Sequence, residues 1–372
     1  MALRIGVNAL YLIPGGVGGT EIYLRSLLPS LAEIDAVNQY FIFTNRETGP
    51  DLVPDAPNFT HAPQPVRAQS RPARILWEQI ALPIAVARHR LDALLNPGFT
   101  APVFCGCPSV TVFHDMQHKR HPENFRWFDL PFWRILLFAA AHRSARLIAI
   151  SEATRDDIVR YYRLPAAKIE LVPQGVDAQF FGLPRRQTGV PYLLTVSTLH
   201  PHKNLDRLLQ AFAEFRRGHP EFRLVVAGLR GFHAEKLERL RDALGLGAVV
   251  EFTGWIPREQ LYELYAGASA LVFPSTFEGF GMPVLEAMAA GLPAACSCIE
   301  PLATIAGGAA LLFDPANVPA MTEAMERVTS DEELRERLTA AGKARATGFS
   351  WKVTACRTLE AIQASQQRGV QT

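Results

Sequence analysis

Two glutamates with seven residues between them, Glu278 and Glu286, bracket a glycine-rich turn in the stretch from Ser275 to Gly291. Upstream, Ala270-Leu271-Val272-Phe273 is a short apolar run of the kind that forms a buried strand. Downstream, Pro283 suits a first helical turn and Gly291 a helix end, so the segment predicts strand, turn and apolar helix. Glu278 then lies in the loop at a helix N-terminus, and Glu286 about two turns into that helix. Free backbone N–H groups and the helix dipole at such a terminus favour an anionic or hydroxyl-rich ligand. A carboxylate on either side of this nest can grip sugar hydroxyls. The plain alternative makes Glu278 a cap and Glu286 a solvated helix residue. The apolar surroundings and the paired glycines weigh against it.

Around this segment, short apolar strands alternate with amphipathic helices twice over, the pattern of parallel α/β units. In the first half the strand candidates are Arg4–Leu10, Tyr40–Thr44, Ala93–Leu95, Ser109–Phe113, Arg146–Ile150 and Ile169–Val172. Helices are predicted at Glu21–Glu33, Ile75–Arg88, Phe125–His142 and Glu152–Tyr162. A polar stretch bearing Pro and Gly, Gly182 to Pro191, reads as a linker. After it come strands Tyr192–Val196, Arg223–Ala227, Val249–Phe252, Ala270–Phe273 and Ala294–Cys296. Helices accompany them at Leu205–Arg217, Glu235–Leu244, Val318–Val328 and Glu332–Ala346, the last with Ser330-x-x-Glu333 as a capping box, and again from Trp351 to Ser365.

The 372 residues exceed one ordinary core and suit two domains. Hydrophobic content of 48% beside 20% charged residues is that of a globular chain, and a net charge of +2 gives no reason to expect nucleic acid. No apolar run reaches the roughly 18 residues of a membrane span. The first residues open directly into a strand rather than a signal peptide. Five cysteines in this length suit a reducing compartment, so a cytoplasmic protein is expected. Cys105-Gly-Cys107 and Cys296-Ser-Cys298 have no His pair nearby and read as buried or incidental thiols.

Three further loops carry chemistry. Ser197 to Asn204 follows the first strand of the second half and precedes a helix, where Lys203 can give a diphosphate its positive charge. Val112-Phe113-His114-Asp115 ends a strand of the first half, again at a carboxyl end where open α/β sheets bind ligands. Gly15, Gly16, Gly18 and Gly19 join the first strand to the first helix and allow close backbone approach. Glu21 stands where a dinucleotide fingerprint needs its third glycine, against a nicotinamide dehydrogenase.

On these residues the chain resembles the retaining glycosyltransferases of family four, and the resemblance covers most of its length, least at Asn45–Arg74. It implies an α/β fold of two facing Rossmann-like domains with an interdomain cleft, the GT-B architecture. The implied domains are an acceptor-side 1–184, a nucleotide-sugar-binding 185–350, and a C-terminal 351–372 whose helix packs back on the first. Glu278 would contact donor-sugar hydroxyls and Glu286 the nucleotide ribose, with the backbone of Gly279, Phe280, Gly281 and Met282 on the sugar and diphosphate. At Ser197 the family commonly shows Gly-Thr-Leu-Glu-Pro-Arg-Lys-Asn. This chain keeps Thr198, Leu199, Pro201, Lys203 and Asn204 and departs at Ser197, His200 and His202. Arg230 resembles a basic family position that could compensate for the lost Arg. His114 resembles the family's cleft-facing His beside the reaction centre, and Asp115 either orients its ring or aids the acceptor. Gly15 to Gly19 are implied near the donor phosphates and acceptor.

The implied activity is transfer of a hexosyl group, with retained configuration, to a glycan or lipid-linked acceptor in cell-surface polysaccharide synthesis, as in bacterial mannosyltransferases. GDP-mannose is the first-choice donor, then UDP-glucose or UDP-N-acetylglucosamine. There is no Asp-x-Asp, so no essential metal is expected, and no cofactor. The alternatives are a nucleotide-sugar epimerase or hydrolase of the same fold and a non-catalytic nucleotide-sugar-binding subunit. The aromatic stretch Phe125 to Phe138, with its interleaved Arg, reads either as a core helix or as a helix lying on an anionic membrane surface. The second reading adds peripheral contact at the inner face of the membrane.

Overall fold

A computed structural model describes residues 2–16, 18–125, 127–186 and 189–366. Val17 of the glycine loop, Arg126 of the aromatic stretch, and Gln187 and Thr188 of the expected linker lie outside the described residues. The chain divides into two units, Met1–Gly175 with Ser350–Thr372, and Val176–Phe349.

In the first unit the described strands are β1 (Arg4–Asn8), β2 (Gln39–Phe43), β3 (Phe59–His61), β4 (Ala93–Asn96), β5 (Ser109–Phe113), β6 (Arg146–Ala149) and β7 (Ile169–Leu171). They form one parallel sheet in the order β3-β2-β1-β4-β5-β6-β7. Runs such as Ile5–Val7 and Val110–Phe113 are buried on both faces because helices cover both sides of a parallel sheet. Those helices are α1 (Gly19–Ile34), α2 (Arg71–Arg88), α3 (Gln117–Arg120), α4 (Leu130–Arg143) and α5 (Glu152–Tyr162). The chain's last helix, Trp351–Gln366, lies along α1, with Trp351 edge-on to Tyr23 at 5.7 Å and Lys352 3.6 Å from Glu33. Gly175 passes so near this helix that a Cβ there would stand 2.1 Å from the Trp351 nitrogen.

The aromatic stretch divides. α4 buries Leu136, Leu137, Ala140 and Ala141, while Trp127, Phe128, Phe132, Ile135 and Phe138 are exposed. The core beneath, built from residues such as Phe113, Leu147 and Ile158, takes one stripe of the helix and leaves the aromatics outside.

The second unit holds β8 (Tyr192–Val196), β9 (Arg223–Ala227), β10 (Val250–Gly254), β11 (Ala270–Phe273), β12 (Ala294–Ser297) and β13 (Leu311–Phe313), parallel in the order β10-β9-β8-β11-β12-β13. Its helices are α6 (Leu205–Gly218), α7 (Ala234–Ala243), α8 (Arg258–Gly267), α9 (Met282–Ala289), α10 (Leu302–Ala306), α11 (Val318–Ser330) and α12 (Glu332–Ala346), which makes the returning Trp351–Gln366 helix α13. α6 shows the 3.6-residue stripe plainly, burying Leu205, Leu208, Leu209, Phe212 and Phe215 against Met321, Met325 and the sheet. At α12 the cap is Asp331, whose carboxylate accepts the Leu334 N–H at 3.0 Å, and Ser330 instead ends α11.

The change of unit falls at Gly175 and Val176, ahead of the polar stretch read as a linker. Residues after it are bound into the second unit: Phe180 is fully buried, edge-on to Tyr262 and Tyr265 at 4.9 and 5.1 Å. Arg185 donates to the Tyr265 carbonyl.

Candidate active site

β8 and β11 are neighbours in the second sheet, so the loops leaving their carboxyl ends meet. Lys203 ends a short 3₁₀ turn after β8, and its ammonium lies 2.6 Å from Glu278 Oε1, on the loop after β11. The Phe273 ring stands 5.7 Å from the same ammonium. Asn204, held at φ 57°, stitches the two loops: its amide donates to the Pro274 carbonyl at 3.0 Å and the Pro315 carbonyl at 2.8 Å. Thr276 N–H donates to the His202 carbonyl at 2.8 Å, and the His202 ring is edge-on to Phe277. Beside this pair, Ser197 Oγ and Ser275 Oγ are buried without a hydrogen-bond partner. A buried unmatched hydroxyl costs about 1–3 kcal/mol, a cost that a polar ligand can relieve.

The turn into α9 needs glycine. Gly281 sits at φ 111° as the residue before the helix, and a Cβ there would meet Leu302 Cδ2 at 2.4 Å. Phe280 is buried against Phe349, which leaves the Gly279–Met282 backbone as the polar element of the helix entrance. Gly228, at φ 148°, lets the loop after β9 pass so close to Ser197 that a Cβ there would stand 2.2 Å from the Ser197 carbonyl oxygen. Arg230 on that loop is exposed and pairs with Glu238 at 2.6 Å, so the structure places its guanidinium on α7 rather than with Lys203.

Glu286 is 3% exposed and both of its oxygens have protein partners. Arg258 Nη1 donates to Oε1 at 3.2 Å and the Tyr265 hydroxyl to Oε2 at 2.8 Å. Burial pushes the Glu286 carboxyl above the usual carboxylate range, and Arg258 draws it back in part. Arg258 also donates from Nε to the Tyr262 hydroxyl at 3.1 Å and lies 3.5 Å from Asp177, to which Tyr262 donates as well. Its guanidinium is stacked near the Phe180 and Tyr262 rings. This network around Glu286 was not foreseen. The only sequence signal was Arg258, Tyr262 and Tyr265 at helical spacing, in a segment too polar to read as a core helix.

In the first unit, His114 follows β5 and is 6% exposed. Its Nε2 lies 2.8 Å from the Pro97 carbonyl, which assigns the proton to Nε2, and Nδ1 lies 3.5 Å from the Gln174 amide nitrogen. Tyr23 and Phe99 flank the ring at 4.9 and 5.1 Å. Burial lowers its pKa to about 4, so the ring is neutral near pH 7. Asp115, the residue after His114, accepts the Gln117 N–H at 2.8 Å. In the glycine loop, Gly15 N–H donates to Glu21 at 2.8 Å, and Gly18 and Gly19 have open space where a side chain would stand. A buried knot escaped the sequence reading: Asn8 donates to Glu78 and Asn96, each at 3.1 Å, and Thr100 donates to Glu78 at 2.9 Å. Asn8 and Asn96 end β1 and β4, at the same sheet edge as His114. Among the described residues no group of three or more His, Cys, Asp or Glu side chains is arranged to hold a metal ion.

Comparison with known proteins covers the same ground. The family model for glycosyl transferases group 1 matches residues 179–345, and that for glycosyltransferase family 4 matches residues 17–180. The chain is 31% identical to O-antigen chain mannosyltransferase B of Escherichia coli over 68% of its own length and 70% of that protein's. It is 32% identical to a D-inositol 3-phosphate glycosyltransferase of Kribbella flavida, over 98% and 96% of the two chains. Among solved structures, sucrose-phosphate synthase from Thermosynechococcus elongatus superposes with a TM-score of 0.78 at 21% identity, covering 100% of both chains. Anabaena HepE in complex with UDP and glucose gives 0.73 at 17% identity, covering 97% of this chain and 99% of that one.

Proposed function

Because the chain belongs to the family 4, group 1 glycosyltransferases, with their GT-B fold, we propose that it moves a hexose from a nucleotide sugar to a glycan or lipid-linked acceptor with retained anomeric configuration. The Lys203–Glu278 pair at the carboxyl ends of β8 and β11, beside two unmatched serine hydroxyls, carries the proposal. Lys203 holds three donors, so it can keep Glu278 in place and still neutralise the departing diphosphate. Glu278 and the Gly279–Met282 backbone hold the sugar. Glu286, oriented by Arg258 and Tyr265, serves the ribose through its remaining acceptor capacity. In the first unit, His114 is assigned to the sugar as a neutral ring, held by Pro97. With no carboxylate set aside as nucleophile, the acceptor hydroxyl attacks on the face from which the diphosphate leaves, and no metal is required.

Likeness to the Escherichia coli mannosyltransferase supports mannose, with GDP-mannose as donor, and likeness to the UDP-bound HepE supports a UDP-sugar as the second choice. The setting is cell-surface polysaccharide synthesis in the cytoplasm. The exposed aromatic face of α4 supports peripheral contact with an anionic membrane, since Arg71 and Arg143 stand beside it, Arg71 over the Trp133 ring and Arg143 over Phe104. No helix among the described residues is long and apolar enough to cross a membrane.

A panel of nucleotide sugars in a thermal-shift assay, followed by NMR of the anomeric proton in the product, tests the activity. Stabilisation by GDP-mannose and an α-linked product are expected. An inverted product, or no stabilisation by any nucleotide sugar, would refute the reading.

A further inference from the structure

The loop from β4 to β5 carries a feature that sugar transfer does not use. Cys105 and Cys107 are two residues apart, which lets both side chains project to one side of the chain, and their sulfurs lie 3.7 Å apart in a thiol hydrogen bond. Gly106 between them has open space around its Cα. The pair is half-buried, and it lines a cavity of about 500 Å³ together with Phe104 and Arg143. Phe104 is 73% exposed, and the Arg143 guanidinium lies 5.2 Å from its ring centre. Two facing thiols, room for a small molecule and a fixed cation are the parts of a thiol–disulfide exchange site.

We propose that Cys105 and Cys107 form a redox-reactive dithiol that exchanges with small anionic disulfides and closes to an intrachain disulfide. The Cys107 thiol and the backbone N–H groups of Cys107 and Gly106 lower the pKa of the Cys105 thiol below the ordinary thiol range, which favours Cys105 as the attacking sulfur. Its thiolate attacks one sulfur of R–S–S–R, forming a mixed disulfide and expelling RS⁻. The Cys107 thiol then loses its proton to water and attacks Cys105 Sγ, expelling the second RS⁻. Two electrons and two protons pass from the protein to the co-reactant, which leaves as two RSH. Closure takes the sulfurs from 3.7 Å to about 2.05 Å. The same loop supplies the Pro97 carbonyl to His114 and binds Gln79 through Ala101 and Val103, so closure tensions a segment that positions His114. The site stands whether or not the proposed sugar transfer is correct.

The test uses the full chain equilibrated in buffers of reduced and oxidised glutathione and mapped by mass spectrometry of its peptides. Loss of two hydrogens from the peptide holding Cys105 and Cys107, reversed by reductant, is expected. Cys107→Ser should trap glutathione on Cys105, whereas Cys105→Ser should leave Cys107 largely unmodified. Arg143→Ala should slow exchange with glutathione disulfide several-fold while sparing the cationic disulfide cystamine. The proposal fails if both thiols stay reduced in buffers that modify the exposed Cys298 and Cys356. It also fails if Cys107→Ser carries no glutathione at Cys105. The wild-type titration alone decides the first of these, without any variant.

Discussion

Arg258→Met removes the guanidinium that faces Glu286 while keeping most of the side chain's volume. Three polar contacts vanish: 3.2 Å to Glu286, 3.5 Å to Asp177 and 3.1 Å to the Tyr262 hydroxyl. Glu286 is 3% exposed and would keep only the Tyr265 hydroxyl at 2.8 Å, so the variant leaves a buried, uncompensated carboxylate. Breaking such a pair costs about 3–5 kcal/mol. The sign of the pH dependence follows. Burial already raises the folded-state pKa of Glu286 above its ordinary value of 4.5, and removing Arg258 raises it further. A carboxyl raised in the folded state stabilises below its unfolded pKa and loses that contribution as pH climbs toward the folded value. The cost of Arg258→Met should therefore grow from pH 5 to pH 8, and adding Glu286→Gln should recover about 2 kcal/mol of it at pH 8. Urea unfolding, with hydrogen exchange of α8 and α9 to assign the transition to the second unit, measures both. A cost independent of pH and unrelieved by Glu286→Gln would show that Glu286 is hydrated and that Arg258 does not hold it.

Glu278→Gln should abolish transfer and leave nucleoside diphosphate affinity nearly intact, while Glu286→Gln should weaken the nucleotide by about 1–3 kcal/mol in calorimetry; equal losses of both properties in both variants would undo the division of roles. Nucleoside diphosphate binding should survive a chelator, and loss of the calorimetric signal on removing divalent cations would contradict the metal-free proposal. Burial holds His114 and His118 down at about 4 from an ordinary 6.5, so each withdraws stability as pH falls from about 6.5 toward 4. His114→Gln should accordingly lose less stability than wild type between pH 7.5 and pH 5 in urea midpoints, and parallel curves would refute it. Replacing Trp127, Phe132 and Ile135 by Ser should release the protein from phosphatidylglycerol vesicles in flotation, a proposal that unchanged flotation would end.

What the sequence disclosed follows the strength of its periodic signals. Strands such as Ser109–Phe113 and Tyr192–Val196 are short, mostly apolar and largely buried, and they stood out, as did α6 with its apolar stripe. β3 and β13, three residues each, sit at sheet edges with less to bury, and neither was seen. α8 was missed because Arg258–Gly267 buries only Tyr265 and Ala266. The placing of Glu278 and Lys203 in loops at strand ends was legible, because such loops bear polar residues that the core does not need, and the two pair there at 2.6 Å. The setting of Glu286 was not, since Arg258 lies 28 residues away and Asp177 joins Tyr262 from 85. Arg230 shows the converse: the sequence places a cation in the loop after β9, yet its side chain pairs with Glu238 on α7.

The first unit is interrupted, since it comprises residues up to Gly175 and then those from Ser350 on, and α13 lies along α1. Synthesis from the N-terminus therefore begins this unit first and completes it last. The uninterrupted second unit can fold while α1 and its sheet still wait for the 16 residues of α13. During that interval the apolar face that Trp351, Ala355 and Ile362 will cover is open to solvent and to chaperones. A gene that joins Gly175 directly to Ser350 would remove the delay, because the backbones of Gly175 and Trp351 already touch, and would encode the first unit as one continuous chain.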